Sequence, residues 1–150
     1  MEKRDTAKDW LKAIAIWLFL GSWIYFFVTG LYAGGCYKGK NTPEERLRIC
    51  TNAERLNGFL YTKHQEVGQS FALGLALADL GRMEEAFEKF KFSLTHTNAV
   101  ADINDKTSLQ RFLNDYRRDI ELSNNALLSF FAAFASIRGQ AALDAVLSSP

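Results

Sequence analysis

Proline is almost missing from this chain: only Pro43 and Pro150 occur in 150 residues. Helix interiors are therefore nearly free of the residue that breaks them most strongly. Alternating Val/Ile/Thr runs bounded by turn residues are also missing, which leaves little from which to build strands. Cysteine and histidine occur twice each, with neither a CxxC nor an HxxxH spacing, so no metal set is predicted. The net charge is only +1, which removes any global electrostatic case for nucleic acid or an acidic substrate. Phosphate loops, nucleophile–base constellations, paired carboxylate sites and cofactor motifs are not found. Neither an enzyme nor a bound cofactor is expected.

What the chain does have is charge sorted by region. Residues 1–12 form a tail dense in both signs, and charges are frequent again from Lys38 onward. Between them, Ala13 to Gly35 reads AIAIWLFLGSWIYFFVTGLYAGG, 23 residues without one ionisable carboxylate or amine. At about 1.5 Å per residue this slightly exceeds the ~30 Å hydrocarbon core, so residues 13–35 are predicted to span a bilayer with modest tilt. Trp10 and Tyr32 stand near its ends, where amphipathic rings favour the headgroup level, and Lys12 can snorkel outward. The flanks do little to orient it. Lys3, Arg4, Lys8 and Lys12 precede the segment, and Lys38, Lys40, Arg46 and Arg48 follow it. The short amino-terminal tail favours a cytoplasmic N-terminus.

Within this segment Gly30 and Gly34 form a GxxxG pair, with Thr29 and Ala33 on the adjoining ridge. Such spacing admits another helix at close range, and it equally suits a fraying helix end. Trp17, Trp23 and Phe26 belong to an aromatic set that can face either lipid or a partner helix. The expected partners are the bilayer itself and other membrane protein subunits.

Cys36 follows the apolar run directly, and Cys50 lies fourteen residues on. Ala33-Gly34-Gly35-Cys36 has the look of a loose lipobox, but the apolar run is longer than the 7–15 residues of a signal-peptide core. Retention of the segment is therefore expected. A reactive thiol would want a basic helix start or a neighbouring histidine, and nothing local supplies either. Thr42-Pro43-Glu44-Glu45 opens a helix with a cap, a first-position proline and a capping box. Leu47, Cys50, Ala53 and Leu56 share one face of it, and Gly58 is a natural stop. Cys36 can fold back to reach Cys50, a closure worth roughly 3 kcal/mol in the chain-entropy model. Two unpaired buried thiols remain the alternative, as does a thiol-dependent redox factor using both.

From Val67 the chain reads VGQSFALGLALADLGRMEEAFEKFKFSLTHTN, and here it resembles the tetratricopeptide (TPR) repeat. Leu73, Gly74, Leu77, Gly81, Ala86, Phe90 and Leu94 stand where that pattern wants them. The resemblance implies two antiparallel helices, with Gly81 in the turn and small residues at Gly74 and Ala86 allowing close approach. Met83, Phe87, Phe90 and Leu94 supply an apolar stripe. Ser70 and Ser93 depart from the pattern, and no proline ends the unit near Asn98. Together with TPEERLRICTNAERLNG ahead of it, this stretch is similar to a group of small bacterial exported TPR proteins. That similarity implies export, a Cys36–Cys50 disulfide and a binding or scaffolding role.

Leu109, Phe112, Leu113, Tyr116 and Ile120 mark an amphipathic helix whose other face carries Arg111, Asp115, Arg117, Arg118 and Asp119. Ser123-Asn124 restarts the chain, and residues 126–137 are too few to span a bilayer, so they predict a buried helix or an interaction face. Beyond Gly139, Leu143, Val146 and Leu147 continue a short amphipathic tail. Gly68, Phe71, Leu75 and Ala78 are the positions that the repeat would turn toward a concave groove. That groove is either filled by the 126–137 helix or open to a partner.

The expected fold class is all-α: a single N-terminal transmembrane helix followed by a small TPR-like helical domain over residues 36–150. The expected function is a non-enzymatic interaction or scaffold protein. It would be a single-pass accessory or assembly subunit of a larger membrane complex in the inner (cytoplasmic) membrane, with its domain in the periplasm. A cytosol-facing TPR adaptor on a membrane is the other topology.

Overall fold

The computed structural model describes residues 3–57 and 63–149. They form seven α-helices and a short 3-10 turn, with no strand among the described residues. The helices are α1 (Lys3–Cys36), α2 (Pro43–Asn57), α3 (Lys63–Asp79), α4 (Met83–Thr95), α5 (Lys106–Arg117), α6 (Asn124–Arg138) and α7 (Gln140–Ser148). The 3-10 turn is Asn98–Asp102, within the polar connection between α4 and α5. The chain divides into two compact units, Met1–Leu31 and Tyr32–Pro150.

The described residues of the first unit are helix alone. Asp9–Cys36 is 28 residues long and its most apolar 18-residue stretch has a mean hydropathy of 1.9, so it is long and apolar enough to cross a membrane. Only 6% of its most apolar stretch is buried within the chain. Trp17 is 75% exposed, Trp23 67% and Phe26 56%. A helix that is apolar on every face and so little buried is a candidate membrane span by its length and composition. Thr29 does not disturb this, because its hydroxyl donates back to the Tyr25 carbonyl at 2.8 Å. The helix runs on through Gly30 and Gly34 to Cys36, so these glycines do not mark its end.

The second unit is organised around α3, in which every residue from Val67 to Ala78 is buried. A helix covered on all faces needs neighbours on all sides, and α2, α4, α5 and α6 supply them. Helix α2 begins as its sequence predicts: Glu45 N–H donates to Thr42 Oγ1, and Thr42 N–H donates to Glu45 Oε2. It runs antiparallel to α3, joined near one end by Arg46 to Asp79 and further along by Gln69 to the Cys50 carbonyl. Gly58, expected to stop α2, lies outside the described residues.

Helices α3 and α4 form an antiparallel pair turned at Gly81, whose φ of +74° suits a residue without a Cβ. A Cβ on Gly74 would stand 2.8 Å from the Phe90 ring, so glycine sets the distance between the two helices. Ser70 and Ser93 do their work at the same contact. Ser70 donates to the Lys89 carbonyl at 3.1 Å, and Ser93 donates to the Val67 carbonyl at 2.9 Å. Both serines are buried, and each satisfies its hydroxyl on the backbone of the opposite helix. The two departures from the repeat pattern are thus small residues that bond across the interface.

Helix α5 starts with an Asp105–Ser108 capping box and ends at Arg117, three residues before the predicted Ile120. Arg118 takes φ 51°, reversing the chain so that Ile120 is buried from the connection rather than from the helix. Ser108 N–H and its hydroxyl bond the Asp105 carboxylate at 2.7 and 3.0 Å and hold it below the usual carboxylate range. A depressed folded-state pKa stabilises above the unfolded value and is lost as pH falls through the folded one. The stability gap between the wild type and Asp105→Ala should therefore be full at neutral pH, begin to narrow as pH falls through about 3.9, and close only below the lowered folded-state pKa. Urea titrations at pH 7, 4 and 3 would read it. Ser123 caps α6, and the guanidinium of Arg138 near its end donates to the Val100 carbonyl at 2.7 Å. Leu143 and Val146 bury the inner face of α7, while Leu147 stays 39% exposed.

Candidate functional site: the disulfide junction and the surfaces beside it

Cys36 and Cys50 are joined in a disulfide with their Cα atoms 4.9 Å apart. That is an ordinary separation for such a bond. Both residues are fully buried, and no free cysteine remains among the described residues. The bond ties the last residue of α1 to the middle of α2. Gly35 makes the approach possible, because a Cβ there would lie 3.1 Å from Ile49. Asn41 closes the turn by donating from Nδ2 to the Gly35 carbonyl at 2.9 Å.

The segment after Cys36 is strapped down by contacts with no local signature. The Arg118 guanidinium lies 4.2 Å from the centre of the Tyr37 ring, a cation–π contact. Gly68 leaves room for the Tyr37 hydroxyl, which would stand 2.7 Å from a Cβ there. Gly39 passes so close to the Asp119 carbonyl that an added Cβ would have to displace backbone. Gly39→Ala should accordingly destabilise the second unit by about 1–3 kcal/mol, whereas alanine at Gly34, where a Cβ meets nothing within 4 Å, should be neutral or stabilising. Paired thermal melts of the two variants test this.

Phe71, Leu75 and Ala78 do not line an open groove. They are 0%, 1% and 0% exposed. The Phe71 ring is met by Phe90 of α4, Phe112 and Tyr116 of α5 and Phe130 of α6, at centroid distances of 5.2 to 6.1 Å. Of the two expectations for this groove, filling by the 126–137 helix is the one observed: α6 occupies it together with α5, and Gly68 is buried with them. The remaining TPR-pattern residues, Leu73, Leu77, Ala86 and Phe90, are likewise core.

Gly30 and Gly34 remain open, with nothing within 4 Å of a Cβ at either. On α6 the inward residues Ala126, Ser129, Phe130, Ala133 and Phe134 are buried, while Leu128 points out at 62% exposure. Arg46, which the sequence presents only as a flanking charge, is buried and pairs with Asp79 at 2.6 Å. Its signal, if any, was its place on the turn that carries Leu47 and Cys50 toward α3. Among the described residues no three histidine, cysteine or acidic side chains gather as a metal site. No protein-family model, curated protein or solved structure matches the chain.

Proposed function

We propose that this chain is a non-enzymatic, single-pass membrane protein that serves as an accessory or assembly subunit of a larger membrane complex. Helix α1 anchors it with its N-terminus in the cytoplasm, and a TPR-like helical domain stands in the periplasm. The observation that carries this reading is the buried Cys36–Cys50 bond at the end of a helix apolar on every face. Structural disulfides persist in oxidising compartments, which favours the domain lying outside the cytoplasm. The absence of a thiol exposed to substrate weighs against redox chemistry at this pair. Contacts with partner subunits would come from the aromatic helix with its open Gly30 and Gly34, and from exposed apolar side chains of the domain such as Leu128.

Labelling intact cells with a membrane-impermeant thiol reagent tests the topology. After denaturation and reduction outside the sealed cell, both cysteines should label; without reduction neither should. Labelling without any reductant, confined to permeabilised cells, would mean free thiols on the cytosolic side. Purification of the tagged chain in mild detergent tests the assembly reading, which predicts co-purifying membrane subunits; a bare monomer overturns it.

A further inference from the structure

A cleft of about 920 Å³ opens where the chain leaves α1, between the loop of Lys38 and Lys40, the start of α2, and the connection of Asp119, Glu121 and Ser123. Its wall includes Arg46, a residue only 5% exposed. The guanidinium holds Asp79 through a single nitrogen, Nη2 to Oδ2 at 2.6 Å. Its Nε and Nη1 are buried and find no acceptor among the described residues. A buried cation with two idle donors is costly, since each forgoes the hydrogen bond that water would have given it. Such a group calls for an acceptor that the described residues do not provide.

The other charges around the cleft describe that acceptor. Lys38 and Lys40 come from one segment, Asp119 and Glu121 from another, and the two sets form no ion pair with each other among the described residues. A simple anion would meet both carboxylates, and a simple cation would meet both lysines and Arg46. A zwitterion carrying a phosphate and an ammonium a few ångströms apart suits both sets. Lys38 and Lys40 are two and four residues beyond Cys36, the last residue of the apolar span. Chain length alone keeps Lys40 within about 14 Å of that residue, so lysines at this distance reach the headgroup layer.

We propose that this cleft binds a phosphoethanolamine-type zwitterion, supplied by the headgroup of a bilayer phospholipid. Lys38, Lys40 and Arg46 receive the phosphate, and Asp119 and Glu121 receive the ammonium. The proposal rests on the reading of α1 as a membrane anchor, and its test is separable from it. The full chain in detergent is titrated with chainless glycerophosphoethanolamine, inorganic phosphate and ethanolamine, which need no membrane, while alkaline carbonate extraction of membranes tests the anchor.

Saturable binding of glycerophosphoethanolamine, tighter than that of phosphate or ethanolamine alone, is expected by calorimetry. The exposed-residue variants Lys38→Gln/Lys40→Gln and Asp119→Asn/Glu121→Gln should each weaken it about tenfold or more. The Arg46 Nε–H resonance should shift on binding; no shift with any compound would mean a trapped water only and overturn the proposal. Equal affinity for phosphate and the zwitterion, or no effect of either double variant, would also overturn it. Native mass spectrometry of the full chain released from nanodiscs of equal phosphatidylethanolamine and phosphatidylglycerol decides the source. Preferential phosphatidylethanolamine adducts, lost in the double variants, support the bilayer, and equal adducts exclude it.

Discussion

Replacing Phe71 with alanine should cost the helical domain about 3–5 kcal/mol, the range for truncating a buried aromatic side chain. Phe71 is fully buried at the middle of α3, and rings from α4, α5 and α6 meet it from three sides. Removing it deletes both its own burial and the edge-to-face contacts that align those helices. The site has little scope to collapse, since Phe90 and Phe130 also pack on each other at 5.8 Å. A domain with an ordinary stability of about 5–15 kcal/mol would be left marginal. Urea unfolding followed by circular dichroism of the full chain in detergent should show a lowered midpoint. Phe71→Leu should recover much of the loss. A near-neutral Phe71→Ala would mean that the residue lines an open groove after all. Because Phe71 and Phe130 touch, the Phe71→Ala/Phe130→Ala pair should cost less than the sum of its singles.

The second large effect is at the disulfide. The double variant Cys36→Ala/Cys50→Ala should lose roughly 3 kcal/mol, because the bond closes a loop of about 15 residues in the unfolded chain. Helix content at room temperature should be retained, with the melting temperature falling, since the core around Phe71 does not depend on the sulfurs. Full burial of both cysteines adds a kinetic expectation. Reduction of the native protein by a small thiol should be slow and should accelerate in urea at concentrations that open the α1–α2 junction. Rapid reduction without denaturant, leaving the melt unchanged, would identify a redox-active bond rather than a structural one.

The parts of this fold that were legible in the sequence are those whose causes are local. Thr42 and Glu45 lie within one turn of each other and cap the same helix end, so their pairing needs no knowledge of the rest of the molecule. Gly81 turns the chain because of its own φ. Ile120 was misassigned to a helix because its spacing from Tyr116 is helical. Nothing local announces that Arg118 will reverse the chain, a conformation tied to Tyr37 through the cation–π contact. Ser70 and Ser93 read as departures because their merit lies in carbonyls of the opposite helix. Arg46 read as a flanking charge because its partner, Asp79, is 33 residues away.

By itself, the sequence determined an all-helical protein with one uncharged segment long enough for a bilayer, and two cysteines close enough along the chain to pair. Composition, caps and apolar periodicity act over a few residues, and a linear reading captures them. Only the tertiary structure decided between a filled and an open groove on α3, with α5 joining α6 there, and that Arg46 is buried with two donors unmet among the described residues. Both depend on which side chains from distant elements reach the same few cubic ångströms, and close packing settles that in three dimensions.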